Sequence, residues 1–280
     1  MKQKLVFLLI IVFELILLSC GNSDGNNQNI AKKDTLATFE VSEGKSFVYH
    51  KYKLPLSVDI FKYLKSKNIE FSIKNLHNLS NQEKYFTDEK RALALGIYSS
   101  DLSNAAIYDM SAVVVDYFGV SIDLAHKLDI EEGYNSELMD KAYKNLENND
   151  SLIKFASEAY WKTCTNLEKD KRNNILPLVV LGSWIESMHV LAKVSIGSTS
   201  ENGINNQLYG QKEHLISLIS YFNDISKAES NSNLKNSIKK WLNKLEKIHA
   251  RYNEIDDSKR NDRYKNLIAQ IEELRTEMIE

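Results

Sequence analysis

Two pairs of side chains in this sequence have the spacing of metal ligands. Glu186-x-x-His189 and Asp123-x-x-His126 each place an acid and an imidazole three residues apart. Residues i and i+3 share a helix face, and a Glu-x-x-His pair is the ligand unit of carboxylate-bridged metal sites in helix bundles. Such a site also needs carboxylates from other helices, for which Asp101 and Asp116 are available. The chain holds 38 acids and six histidines, so pairs at this spacing also arise by chance. On a helical wheel Gly182, Glu186, His189 and Lys193 form one polar stripe, opposite Trp184, Ile185, Met188 and Leu191. A solvated stripe accounts for that pattern without metal. The reading adopted is no metal and no cofactor, with a metal-binding or catalytic bundle built on Glu186, His189, Asp123 and His126 as the alternative.

Tyr98, Asp101, Tyr108, Trp184 and Glu186 form a second group, set in strongly apolar stretches. An acid in such surroundings is costly unless hydrogen-bonded. Two arrangements satisfy it. The acids accept from tyrosines, a Trp N–H or helix ends and fix the register of a bundle, or the group lines a polar pocket for a small ligand. Enzyme signatures are missing: there is no phosphate loop, no G-x-S-x-G elbow, no H-E-x-x-H and no paired-cysteine metal spacing. Gly182-Ser183-Trp184 lacks the pattern of a nucleophile elbow. The chain therefore reads as non-enzymatic.

The two cysteines carry the remaining chemistry. Lys2 and Lys4 precede an apolar run, Leu5 to Leu18, broken only by Glu14, and Leu17-Leu18-Ser19-Cys20 ends it. A charged start, an apolar core and a small residue at the end are the layout of an export signal. The last four residues resemble the lipobox of bacterial lipoproteins, which implies cleavage before Cys20 and a covalent lipid on its sulfur. The run is short of the roughly 20 residues of a bilayer span, which disfavours an uncut anchor. With Cys20 acylated, Cys164 has no partner for an intramolecular disulfide. It lies in a helical pattern and reads as buried and inert.

The elements that must position these groups are helices. Two prolines and ten glycines in 280 residues leave little for a turn-rich β fold. The balance of 36 basic and 38 acidic residues gives no footprint for nucleic acid. Residues 1–19 read as signal peptide. Residues 20–53 hold a polar flexible tether, Gly21 to Asp34, spanning about 30 Å, and then an extended arm with partial alternation through Phe47, Tyr49 and Tyr52. Residues 54–280 read as a single all-α domain of about eight helices. Pro55 opens the first, over 57–65. Ser80-Asn81-Gln82-Glu83 has the spacing of a capping box. Residues 92–128 are apolar at helical spacing over a length that demands a break, which Gly96, Ser103 or Gly119 would supply. Further helices are expected over 135–146, 151–167 (capped by Asp150), from Pro177 to about 194, and over 206–227, 233–252 and 258–279. The last two are amphipathic with charged faces that read as solvated, and Trp241 and Tyr252 would suit an interface.

Lys84-Tyr85-Phe86-Thr87 with the block Lys90 to Ala105, and Leu181-Gly182-Ser183-Trp184-Ile185-Glu186, resemble recurrent blocks of uncharacterised lipoproteins from Bacteroidetes-type bacteria. The resemblance runs over most of the chain beyond Leu54. It implies an all-helical fold and an envelope location, and no established activity. This chain departs from the blocks at Ser99-Ser100, where small residues are usual, at Asn104 and His189, where aromatics are, and at Ser183, where glycine is. The expectation is a non-enzymatic cell-envelope lipoprotein that binds a ligand or protein partner. The lipid would anchor it to the outer membrane, facing the periplasm.

Overall fold

The computed structural model describes residues 47–280, apart from 50, 51, 131, 171, 173, 198–202 and 256–259. Cys20, the signal segment and the tether lie outside the described residues. A short antiparallel pair opens the described chain: β1 (Phe47–Tyr49) and β2 (Tyr52–Leu54), with Phe47 opposite Leu54 and Tyr49 opposite Tyr52. Nine α-helices follow among the described residues. They are α1 (Ser57–Ser66), α2 (Asp88–Ile107), α3 (Ser111–Lys127), α4 (Ser136–Tyr143), α5 (Asn149–Lys169), α6 (Leu176–Gly197), α7 (Ile204–Ala228), α8 (Ser232–Asn253) and α9 (Arg260–Ile279). Two 3-10 turns, Ile73–Asn75 and Leu79–Lys84, fill the connection between α1 and α2.

Helices α2 and α6 are the centre. Every residue of α2 from Ala92 to Ile107 is buried, and α6 is predominantly apolar, with every residue from Leu176 to Ala192 buried. By length and composition α6 is apolar enough to cross a membrane, and 83% of that stretch is buried inside the bundle. The two helices touch backbone to backbone. A Cβ on Gly96 would sit 2.1 Å from the Val179 carbonyl oxygen, and one on Gly182 would sit 2.1 Å from that of Leu93. Glycine at both positions is what permits so close a crossing. Helices α1, α3, α5 and α9 pack on α2, while α1, α7 and α9 pack on α6. Helix α4 bridges α3 and α5, α8 bridges α7 and α9, and β2 lies on α7.

Local chemistry sets the boundaries, and several differ from expectation. The long apolar stretch breaks at Tyr108 to Met110, not at a glycine. Asp109 adopts a left-handed conformation there (φ 65°), which Asp tolerates better than most residues. Asn68 and Asp129 do the same after α1 and α3. The Ser80–Glu83 capping box does not form. Asn78 caps that 3-10 turn by accepting from the Ser80 N–H, and Thr87 caps α2 by accepting from the Lys90 N–H. Likewise Asn148, not Asp150, caps α5. Trp241 and Tyr252 are core residues rather than interface anchors. Both are fully buried, the indole donating to Glu89 at 2.9 Å and the phenol to the Leu208 carbonyl at 2.8 Å.

Candidate functional site

The close crossing of α2 and α6 brings Asp101 and Glu186 into one buried polar centre. Both are fully buried. Helix α9 lies across them and inserts Arg275. Its Nε donates to Glu186 Oε2 at 2.6 Å and a terminal nitrogen donates to Oε1 at 2.7 Å. This two-point geometry is the strong form of a carboxylate–guanidinium pair. One turn along α6, His189 Nδ1 lies 2.6 Å from Glu272 Oε1 of α9, and Lys193 pairs with the other oxygen of Glu272 at 3.5 Å.

The 73–84 segment closes the centre from one side. Its 3-10 turns leave backbone groups unpaired, and side chains of the central helices take them up. The His77 N–H donates to Asp101 Oδ2 at 2.8 Å. Tyr117 donates to the His77 carbonyl at 2.7 Å, and Tyr98 to the Asn78 carbonyl at 2.9 Å. The His77 ring meets the Tyr85 hydroxyl, Nε2 to oxygen, at 2.6 Å. Tyr98 stacks at a tilt between His77 and Tyr117, with centroids 5.1 and 6.0 Å away.

Burial governs the protonation of this centre. Desolvation is the largest influence on Asp101, and the charge of Glu186 adds to it. Together they hold the carboxyl well above the carboxylate range, against the His77 amide and Arg275. Burial, with Arg275 nearby, pushes the His77 imidazole down to about 3, so it is neutral. Burial also pushes the Tyr85 hydroxyl up to about 12 and raises Tyr98 and Tyr117. For Arg275 the cost of burial is outweighed by Glu186, which leaves the guanidinium firmly charged. Glu272 is disfavoured as an anion by burial, yet its bond to His189 brings it below its ordinary value.

Of the residues the sequence singles out, Tyr98, Asp101, Trp184 and Glu186 are buried at this centre or beside it. Tyr108 is not among them; it is half-buried at the end of α2, against Phe71 and under Lys65. The donors differ from those expected. Asp101 is bonded by a backbone amide and Glu186 by an arginine, while the Trp184 indole N–H has no hydrogen-bond partner. The polar stripe of α6 is not wet: Glu186 and His189 are covered by α9, and of the four only Lys193 reaches solvent. Tyr108 lines a small cleft with Leu64, Phe71, Asn104 and Val190, and other clefts among the described residues are lined by Lys240, Lys244 and Lys247 of α8 or Ser217, Asn223 and Asp224 of α7.

The metal alternative has no geometry here. Asp123 and His126 are exposed on α3, whereas Glu186 gives both oxygens to Arg275 and His189 is engaged by Glu272. No group of three or more potential ligands gathers among the described residues. Cys164 is buried, and burial pushes its thiol up to about 12, the Tyr160 hydroxyl offsetting part of the shift.

Arg275, His77, Tyr85 and Tyr117 are the central residues that sequence reasoning missed. A signal for Arg275 exists: it stands four residues after Ile271 and seven after Ile268, on the apolar stripe of α9. A charge on that stripe points inward. Comparison with protein-family models, curated proteins and solved structures gives no match to this chain.

Proposed function

We propose that this chain is a lipid-anchored protein of the bacterial cell envelope. Its helical domain is a rigid, non-enzymatic body that binds a ligand or protein partner. The observation that carries the reading is Leu17-Leu18-Ser19-Cys20 at the end of a charged-then-apolar leader, followed by the polar stretch Gly21 to Asp34. The chemistry of the centre supports the non-enzymatic half. The polar side chains there are paired with one another: Glu186 with Arg275, and Glu272 with His189 and Lys193. A substrate would have to displace those pairs, and removing either partner leaves a buried charge uncompensated. The lipid would hold the domain at the outer membrane, on its periplasmic side.

Expression of the whole chain in a bacterial host fed an alkyne-bearing palmitate tests this. The wild type is expected to take up label and enter the detergent phase on cloud-point separation. Cys20→Ala is expected to do neither. Label retained by Cys20→Ala overturns the reading, and so does an unlabelled wild type. Resistance to protease added to intact cells, lost once the outer membrane is opened, checks the periplasmic side.

A further inference from the structure

The buried centre holds two carboxyl groups and one cation. Glu186 already occupies Arg275 with both oxygens. Asp101, fully buried, receives the His77 amide on Oδ2, and its Oδ1 has no partner. The groups facing it can be named. Glu186 comes from α6 and Arg275 from α9. The His77 amide comes from the 73–87 connection, where the neutral His77 ring is bonded to the Tyr85 hydroxyl, Tyr117 comes from α3, and Tyr98 from α2 itself. No side chain of α1 or α5 is among the charges acting on Asp101. Glu272 acts on Arg275 and is paired with His189. An ionised Asp101 would therefore place a second negative charge near a guanidinium that is already matched, with both carboxyl groups shut off from water.

We propose that Asp101 is a proton-binding site. In the folded protein it is the neutral acid at neutral pH, and loss of that proton at alkaline pH loosens the strap from Ile73 to Lys84 that closes over it. The strap is the part that gives way for a structural reason. It meets Asp101 directly through the buried His77, and is short 3-10 turn rather than regular helix. Single bonds from the Tyr98 and Tyr117 hydroxyls to its carbonyls hold it down; the His77 N–H bond to Asp101 favours the anion but is outweighed by burial and Glu186, so the ionised acid draws water in by displacing the strap. Helices α2 and α6 cannot part so easily, because their backbones meet at Gly96 and Gly182. The shift of Asp101 well above the carboxylate range, caused first by burial and then by Glu186, agrees with this reading.

Infrared difference spectra of the whole chain in detergent and heavy water test it. The wild type at neutral pD is expected to show the carbonyl stretch of a protonated buried carboxyl, fading as pD is raised and missing in Asp101→Asn. Absence of that band from the wild type overturns the proposal, and would mean that Asp101 is ionised or holds a cation. Should Asp101→Asn fail to fold, the fading of the band in the wild type alone decides. Urea unfolding gives a second readout. From pH 7 to 8 the folding constant of the wild type falls by up to about tenfold, and that of Asp101→Asn stays nearly level; towards pH 9 both also decline through the buried Cys164 thiol. Equal slopes overturn the proposal. For the strap, protection of the His77 amide against hydrogen exchange, corrected for the intrinsic rate, drops over the same range in the wild type. Unchanged protection removes the strap from the proposal.

Discussion

At the residue scale, the Glu186–Arg275 pair asks most of the fold. The Glu186 side chain is fully buried and that of Arg275 is 12% exposed. Removing one partner leaves the other buried and uncompensated, which typically costs about 3–5 kcal/mol. Arg275→Met is expected to lose that much in urea unfolding, and Glu186→Gln a comparable amount. The double variant should recover a large part, because no charge is then stranded; a double-mutant cycle measures this, and full additivity would mean that the pair does not act as a unit. Cys164 gives a second check. With its thiol pushed up to about 12 and buried, it should resist alkylation at pH 8 in folded Cys20→Ser protein and react at once in denaturant. Asp101 and Glu186 were legible in the sequence, because acids stand out inside apolar stretches. Their partners were not. Arg275 is one charge in a helix crowded with charges, and His77 acts on Asp101 through its backbone amide, which no side-chain pattern reports.

At the scale of elements, the glycines within the helices separate into two kinds. Gly96 and Gly182 sit where a Cβ would overlap a facing carbonyl at 2.1 Å. The atoms in the way are backbone, so the helices themselves must shift. Gly96→Ala and Gly182→Ala are each expected to destabilise by about 1–3 kcal/mol or more, the range for overpacked cores. Gly119 and Gly210 have nothing within 4 Å of an added Cβ. Alanine there should stabilise by about 0.5–1 kcal/mol through helix propensity alone. Thermal melts of the four variants test the contrast; like-signed shifts would mean that the crossing does not depend on glycine. Helix periodicity made most elements legible, with α1, α6, α7 and α8 close to their expected ends. It failed where local capping competes with apolar spacing. The break at Asp109 and the caps at Asn78, Thr87 and Asn148 are choices among neighbouring polar residues, decided by the backbone path. The polar stripe of α6 was misread for a related reason. A single helix does not reveal that its polar face meets the arginine and glutamate of another.

At the scale of the whole molecule, the centre couples stability to pH in two opposed ways. Burial holds His77 neutral, down at about 3 against an ordinary value of 6.5. A group depressed in the folded state contributes stability that is complete above its unfolded value and lost as pH falls. Asp101 has the reverse sign: its folded value lies above the ordinary 3.8, so its contribution is complete below 3.8 and lost as pH rises. With Asp101 neutral as proposed, between about pH 5 and 6.5 the unfolded chain protonates His77 and not Asp101, while the folded protein protonates Asp101 and not His77. The proton counts match, so these two groups give a level profile. Above 6.5 the unfolded chain releases the His77 proton and the folded protein still holds the one on Asp101. Stability should then fall by up to about 1.4 kcal/mol per pH unit for as long as Asp101 remains protonated. Each variant should unmask the other group. Asp101→Asn is expected to gain stability from pH 5 to 6.5 and then stay nearly level to about pH 8, above which the buried Cys164 thiol lowers all the curves alike, whereas His77→Gln should decline from pH 5 onward. Urea midpoints from pH 5 to 9 at constant ionic strength check all three curves. A wild type that gains stability through pH 5 to 6.5 as steeply as Asp101→Asn would mean that the buried acid carries no proton there.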